Sequence, residues 1–224
     1  ILMKNIMYVG VLAALLELDM GVIKQLLNEQ FAAKASLLDA NQKAIDLGYA
    51  YAREHFTCPL PFRARTLDKT RDHIMIDGNT TAGLGCLFAG ATVGAWYPIT
   101  PSTSVMDSFK RFCEKYRKDP ETGKANYCII QAEDELGAIG MVLGASWNGA
   151  RSFTPTSGPG ISLMNEFLGY GYFTEIPAVL FDVQRCGPST GMPTRTQQAD
   201  LMACAYASHG DTRHVRLFPA NPEE

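Results

Sequence analysis

Apolar positions recur at helical spacing through the first quarter of the chain. Ile6, Val9, Leu12, Ala13 and Leu16 share one face; Val22, Ile23, Leu26, Leu27 and Phe31 share another, on a helix that Asp19 caps. Ser36 opens a third helix carrying Leu37, Leu38, Ile45, Leu47 and Tyr51. Residues 4–56 thus read as three amphipathic helices without a sheet, the tail of a domain rather than a domain. Residues 57–73 combine two prolines with a charge-rich run and read as a linker. From residue 74 short apolar runs alternate with helical patterns. Strands are expected at 92–97, 127–132, 151–155, 178–183 and 214–218, with helices at about 80–91, 104–117, 135–148, 161–172 and 196–207. That alternation predicts an α/β fold, a parallel sheet with helices on both faces.

Composition narrows the class. The 224 residues are 46% hydrophobic and 19% charged, with a net charge of −3, which gives no electrostatic reason to expect nucleic acid or an anionic membrane as partner. The apolar run 6–16 is too short to span a bilayer and is followed by Glu17 and Asp19. No signal peptide pattern is present, and the six scattered cysteines form no Cys-x-x-Cys pair. Reduced thiols in a cytoplasmic protein are expected, with no metal site. His209 and His214 lack a third ligand, and Gly83-Leu84-Gly85 lacks the rest of a dinucleotide fingerprint. The chain opens on Ile1 and closes on Asn221-Pro222-Glu223-Glu224, a helix-start pattern, so an internal fragment of a longer polypeptide is expected.

In parallel sheets ligands bind where strands end and helices begin. Four such junctions fall on one edge. The first, residues 97–103, reads Tyr-Pro-Ile-Thr-Pro-Ser-Thr, a double-proline kink that exposes Thr100. The others carry Glu133-Asp134-Glu135, the glycine loop Thr156-Ser157-Gly158-Pro159-Gly160, and Arg185 with Cys186. Each has an ordinary structural explanation: acids in a first helical turn, a tight turn, a surface ion pair, a capping hydroxyl. The helix after Glu135 is less ordinary. Gly137, Ala138, Gly140, Gly144 and Ala145 give it a bare face, suited to close approach by another backbone or a flat ligand.

Asp77-Gly78-Asn79-Thr80, residues 97–103, residues 156–160 with Ser162-Leu163-Met164, and residues 182–191 together resemble the alpha subunit of 2-oxoacid:ferredoxin oxidoreductases, of the pyruvate:ferredoxin oxidoreductase superfamily. The resemblance runs from about residue 74 to the end, and residues 4–56 resemble the end of the family's gamma domain, fused ahead of alpha. It implies domains at 1–56, 57–73 (linker) and 74–224, the last a thiamine-diphosphate pyrimidine-binding domain. Glu135 would bond N1′ of the aminopyrimidine. Thr156, Ser157, Gly158 and Gly160 would lie against the ring, and Thr100 and Arg185 would hold the 2-oxoacid. Cys186 departs from the family's usual glycine. A beta subunit is implied to carry Mg²⁺ and the diphosphate, an iron–sulfur cluster to sit on another subunit, and ferredoxin and coenzyme A to serve the whole complex. The implied reaction is oxidative decarboxylation of a 2-oxoacid to acyl-CoA. Two alternatives are a non-redox thiamine-diphosphate decarboxylase or synthase and a non-catalytic α/β interaction subunit.

Overall fold

The computed structural model describes residues 3–57 and 61–224. Cys58 and part of the expected linker lie outside the described residues. Contacts divide the chain into two compact units, Ile1–Ile74 and Met75–Glu224.

The first unit is helical: α1 (Lys4–Leu16), α2 (Met20–Phe31) and α3 (Ala35–His55). Asp19 caps α2 by accepting from the Gly21 amide at 2.7 Å. Ser36 does not cap α3. The helix begins one residue earlier, where the Lys34 carbonyl takes the Leu37 and Leu38 amides. Helices α1 and α3 cross at two glycines. Gly10 lies against the Ile45 carbonyl and Gly48 against the Met7 carbonyl, so a Cβ at either would strike backbone. Ala13, Ile45 and Ala52 are buried in the seam. Residues 61–74 form neither helix nor strand.

The second unit carries four parallel strands in the order β2-β1-β3-β4. Along the chain these are α4 (Gly78–Phe88), β1 (Val93–Trp96), α5 (Thr103–Tyr116), β2 (Cys128–Gln131), α6 (Glu135–Trp147), β3 (Ser152–Thr156), α7 (Gly158–Phe173), β4 (Val179–Asp182) and α8 (Leu201–Ala205). Strand β3 is buried throughout, and consecutive residues serve opposite faces. The Ser152 hydroxyl donates to the Val142 carbonyl of α6, whereas Phe153 packs edge-on against Phe109 of α5. Two apolar clusters result. One joins Cys86, Val105, Met106, Phe109 and Phe153; the other joins Ala138, Ile139, Leu143 and Met164.

Three expectations change. Residues 214–218 form no strand and pair with none among the described residues, leaving Val215 and Leu217 exposed. Alternation gives a segment two faces; only a neighbouring strand makes it part of a sheet. The helix expected at 196–207 shrinks to the five residues of α8. Residues 221–224 form a turn, with the Asn221 side chain accepting from the Glu223 amide at 2.8 Å, in place of a first helical turn.

Candidate functional site

Beyond β1 the chain enters the kink. The Ile99 carbonyl gathers the Ser102 amide at 2.9 Å, the Thr103 amide at 3.2 Å and the Ser102 hydroxyl at 3.1 Å. The Thr100–Pro101 bond is cis. Asn79, in the first turn of α4, braces the kink by donating to the Pro101 carbonyl at 2.9 Å and the Ser104 hydroxyl at 2.8 Å. Asp77 caps α4 beside it, accepting from the Thr80 amide and hydroxyl, and these bonds hold its carboxyl below its ordinary range.

The segment 156–160 is not a free glycine loop. Thr156 ends β3, Ser157 is the extended N-cap, and Gly158 already begins α7. Pro159 explains the early start, because its fixed φ and missing N–H suit a first helical turn. Thr156 and Ser157 are fully buried, and the Ser157 hydroxyl has no hydrogen-bond partner. A Cβ on Gly160 would collide with the Thr156 and Tyr97 hydroxyls, and one on Gly158 with the Asp200 carboxylate.

Tyr97 leads out of β1 and is itself buried. Its hydroxyl bonds to Thr156 Oγ1 at 2.7 Å. Burial pushes the phenol well above its ordinary range; hydrogen bonding and charge from Glu135 push the same way, against the Thr156 bond and the Arg185 charge. Glu135 is the half-buried first residue of α6, whose N-cap Asp134 accepts from the Gly137 amide at 2.8 Å. On the bare face of α6, a side chain rather than a backbone lies closest to Gly140. The Phe167 ring of α7 lies over Gly140, and Gly144 has open space.

Arg185 follows β4 and is more than nine-tenths buried. Its Nη1 donates to the Thr100 backbone carbonyl at 2.7 Å, and its Nε is left without a partner. Beside it lies a cleft of about 120 Å³, lined in part by Gly158, Ser162, Cys186, Ser189 and Asp200. Cys186 is fixed by its amide, which donates to the Arg195 carbonyl at 2.7 Å. Under this edge Asp182, at the end of β4, accepts from the Cys204 thiol at 3.4 Å. Burial pushes the Asp182 carboxyl up to about 6.

Thr156 and Gly160 thus meet at the Tyr97 hydroxyl, with Ser157 and Gly158 alongside, and Glu135 and Arg185 are near enough for their charges to act on the phenol. Thr100 joins through its carbonyl, and its side chain is exposed. Sequence reasoning passed over Tyr97, Asp182 and Asp200. An aromatic hydroxyl directly after a strand and before Pro98 could have flagged Tyr97; no local pattern marks Asp200.

A parallel sheet bearing such a strand-end crevice defines an α/β ligand-binding domain. Residues 84–224 match the family model described as pyruvate flavodoxin/ferredoxin oxidoreductase, thiamine diphosphate-binding, and residues 1–51 match pyruvate ferredoxin/flavodoxin oxidoreductase. The chain belongs to this family. It is 35% identical to the 2-oxoglutarate oxidoreductase subunit KorA of Mycobacterium tuberculosis, over 99% of this chain and 33% of that protein. It is 44% identical to the 2-oxoglutarate synthase subunit KorA of Methanocaldococcus jannaschii, over 66% of this chain and 38% of that one. Among solved structures, the 2-oxoglutarate:ferredoxin oxidoreductase from Magnetococcus marinus, with 2-oxoglutarate, coenzyme A and succinyl-CoA bound, superposes with a TM-score of 0.74. Identity to it is 37%, covering 94% of this chain and 35% of that chain. The chain thus spans about a third of the M. tuberculosis relative and little more of the other two.

Proposed function

We propose that this chain supplies the pyrimidine half of the site in a thiamine-diphosphate-dependent 2-oxoacid:ferredoxin oxidoreductase. The reaction is oxidative decarboxylation of a 2-oxoacid with coenzyme A to acyl-CoA, CO₂ and reduced ferredoxin. Residues 74–224 form the alpha pyrimidine-binding domain, 1–56 the end of a gamma-type domain and 57–73 the linker. A beta subunit carries Mg²⁺ and the diphosphate, and an iron–sulfur cluster lies on another subunit. The free thiols suit a cytoplasmic enzyme.

The observation that carries this reading is Arg185. A guanidinium this buried, with an unpartnered Nε and no ion pair among the described residues, invites an anion. A 2-oxoacid carboxylate fits it. The pyrimidine fits as well: Glu135 offers a half-buried carboxyl and Ser157 an unsatisfied hydroxyl. When bound, thiamine diphosphate supplies a nucleophilic carbon and an electron sink for decarboxylation. Glu135 would hold a proton at N1′ of the aminopyrimidine. Thr156, Ser157, Gly158 and Gly160 would fix the ring plane. Arg185 would grip the substrate carboxylate, with Thr100 beside it. Reconstitution of the full-length chain with its partner subunits tests the reading. Thiamine-diphosphate- and coenzyme-A-dependent reduction of ferredoxin by a 2-oxoacid supports it. Decarboxylation without ferredoxin reduction would favour a non-redox enzyme, and no turnover would favour an interaction subunit. A panel of pyruvate, 2-oxoglutarate and branched-chain oxoacids identifies the substrate.

A further inference from the structure

Arg185 and Cys186 line one cleft of about 120 Å³, and only the arginine has a role in the reading above. The guanidinium is more than nine-tenths buried, tied through Nη1 to the Thr100 carbonyl and unpartnered at Nε. Cys186 is half-buried and forms no disulfide. Its backbone is pinned on both sides: the amide donates to the Arg195 carbonyl at 2.7 Å, and the carbonyl accepts from the Met192 amide at 2.9 Å. Gly191, at a φ of 54°, presses so close to that carbonyl that a Cβ would strike it. The thiol donates to the neighbouring Gly187 carbonyl at 3.6 Å, a long and weak bond that a ligand displaces at little cost. We propose that Cys186 is a substrate-contacting residue, its thiol forming the wall against which the carboxylate held by Arg185 is laid.

Size and charge support this. In so small a cleft an anion held at Arg185 lies against Cys186. Asp200 lines the same cleft, its carboxylate packed over Gly158 where no Cβ fits, and no ion pair joins it to Arg185 among the described residues. The cleft thus offers one positive and one negative group. A single carboxylate pairs with the first, whereas a second carboxylate near Asp200 is repelled. Iodoacetate matches these demands, with one carboxylate and a displaceable iodide on the adjoining carbon.

The contact rests on the reading of Arg185 as the carboxylate anchor, and the test separates the two. The complete enzyme complex is treated with iodoacetate or with the uncharged iodoacetamide. In either case the Cys186 thiolate attacks the CH₂ carbon: a C–S bond forms, the C–I bond breaks, iodide leaves and the thiol proton passes to solvent. Peptide mass spectrometry follows the rate at Cys186, and 2-mercaptoethanol in the same solution gives the rates for an undirected thiol. Relative to that reference, iodoacetate should outpace iodoacetamide at Cys186 by about tenfold, the factor that one charge-assisted hydrogen bond supplies. Arg185→Gln should abolish the preference. Pyruvate or 2-oxoglutarate should protect Cys186 in the unsubstituted complex, which keeps the test open if the variant fails to fold. Equal relative rates for the two reagents, or no alkylation of Cys186 by either, would overturn the contact; turnover of a 2-oxoacid by that same complex would leave the functional reading standing. A charge preference that no 2-oxoacid suppresses would overturn both the contact and the role of Arg185.

Discussion

Arg185 is held by the backbone of Thr100: Nη1 donates to the carbonyl at 2.7 Å, across 85 residues of sequence. The kink therefore orients the arginine whatever side chain stands at Thr100. Two separable effects follow. Thr100→Ala should leave the melting temperature within a degree or so and raise the KM for the 2-oxoacid, since it removes only an exposed hydroxyl. Arg185→Ala should lower both affinity and stability, the latter by about 1.5–3 kcal/mol, because a charge-assisted buried bond is lost. Thermal unfolding and steady-state kinetics distinguish the pair. Equal destabilisation by both variants would contradict the backbone linkage.

Two glycines in neighbouring helices should respond oppositely to the same methyl group. Gly160→Ala drives a Cβ into the Thr156 and Tyr97 hydroxyls and should destabilise by about 1–3 kcal/mol, the usual cost of overpacking. Gly144→Ala meets nothing within 4 Å and lies inside α6, so it should stabilise by about 0.4–1 kcal/mol through helix propensity. Denaturant melts of both variants give the comparison directly.

What the sequence made legible was local. Apolar runs bounded by polar turns located β1 to β4, and the acid run at 133–135 placed the start of α6 at Glu135. What it concealed was pairing at a distance. The Tyr97–Thr156 bond spans 59 residues, and no pattern near either residue announces it. The segment 214–218 shows the converse, since its alternation is strand-like yet it pairs with no strand among the described residues. The glycines before Ile161 resembled a loop because Gly is a poor helix former, yet with Pro159 in its first turn the helix begins at Gly158.

Asp182 should make stability depend on pH. Burial, offset in part by the Cys204 thiol and reinforced by the Asp200 charge, raises its carboxyl to about 6 in the folded chain, against 3.8 as the ordinary value. Between those values the folded state binds more protons than the unfolded state, so stability falls as pH rises through the window and the full burden is present above it. Asp182→Asn should therefore raise the melting temperature near pH 7.5, at about 2–4 °C per kcal/mol relieved, and give no gain near pH 4. An equal gain at both pH values would mean that packing, not ionisation, is responsible.

Glu135→Gln provides the sharpest test of the site. The substitution keeps the shape of the side chain and leaves the α6 cap intact, since Asp134 and not Glu135 takes the Gly137 amide. Folding and assembly should be unaffected, and circular dichroism and gel filtration check this. A carboxamide cannot hold or release a proton at N1′, so turnover of the reconstituted complex should fall by about 10²–10⁴, the span that a general acid–base group supplies. Binding of the 2-oxoacid should persist, because Arg185 and the kink are untouched. The variant should therefore bind substrate without consuming it, a combination that a merely structural glutamate would not produce.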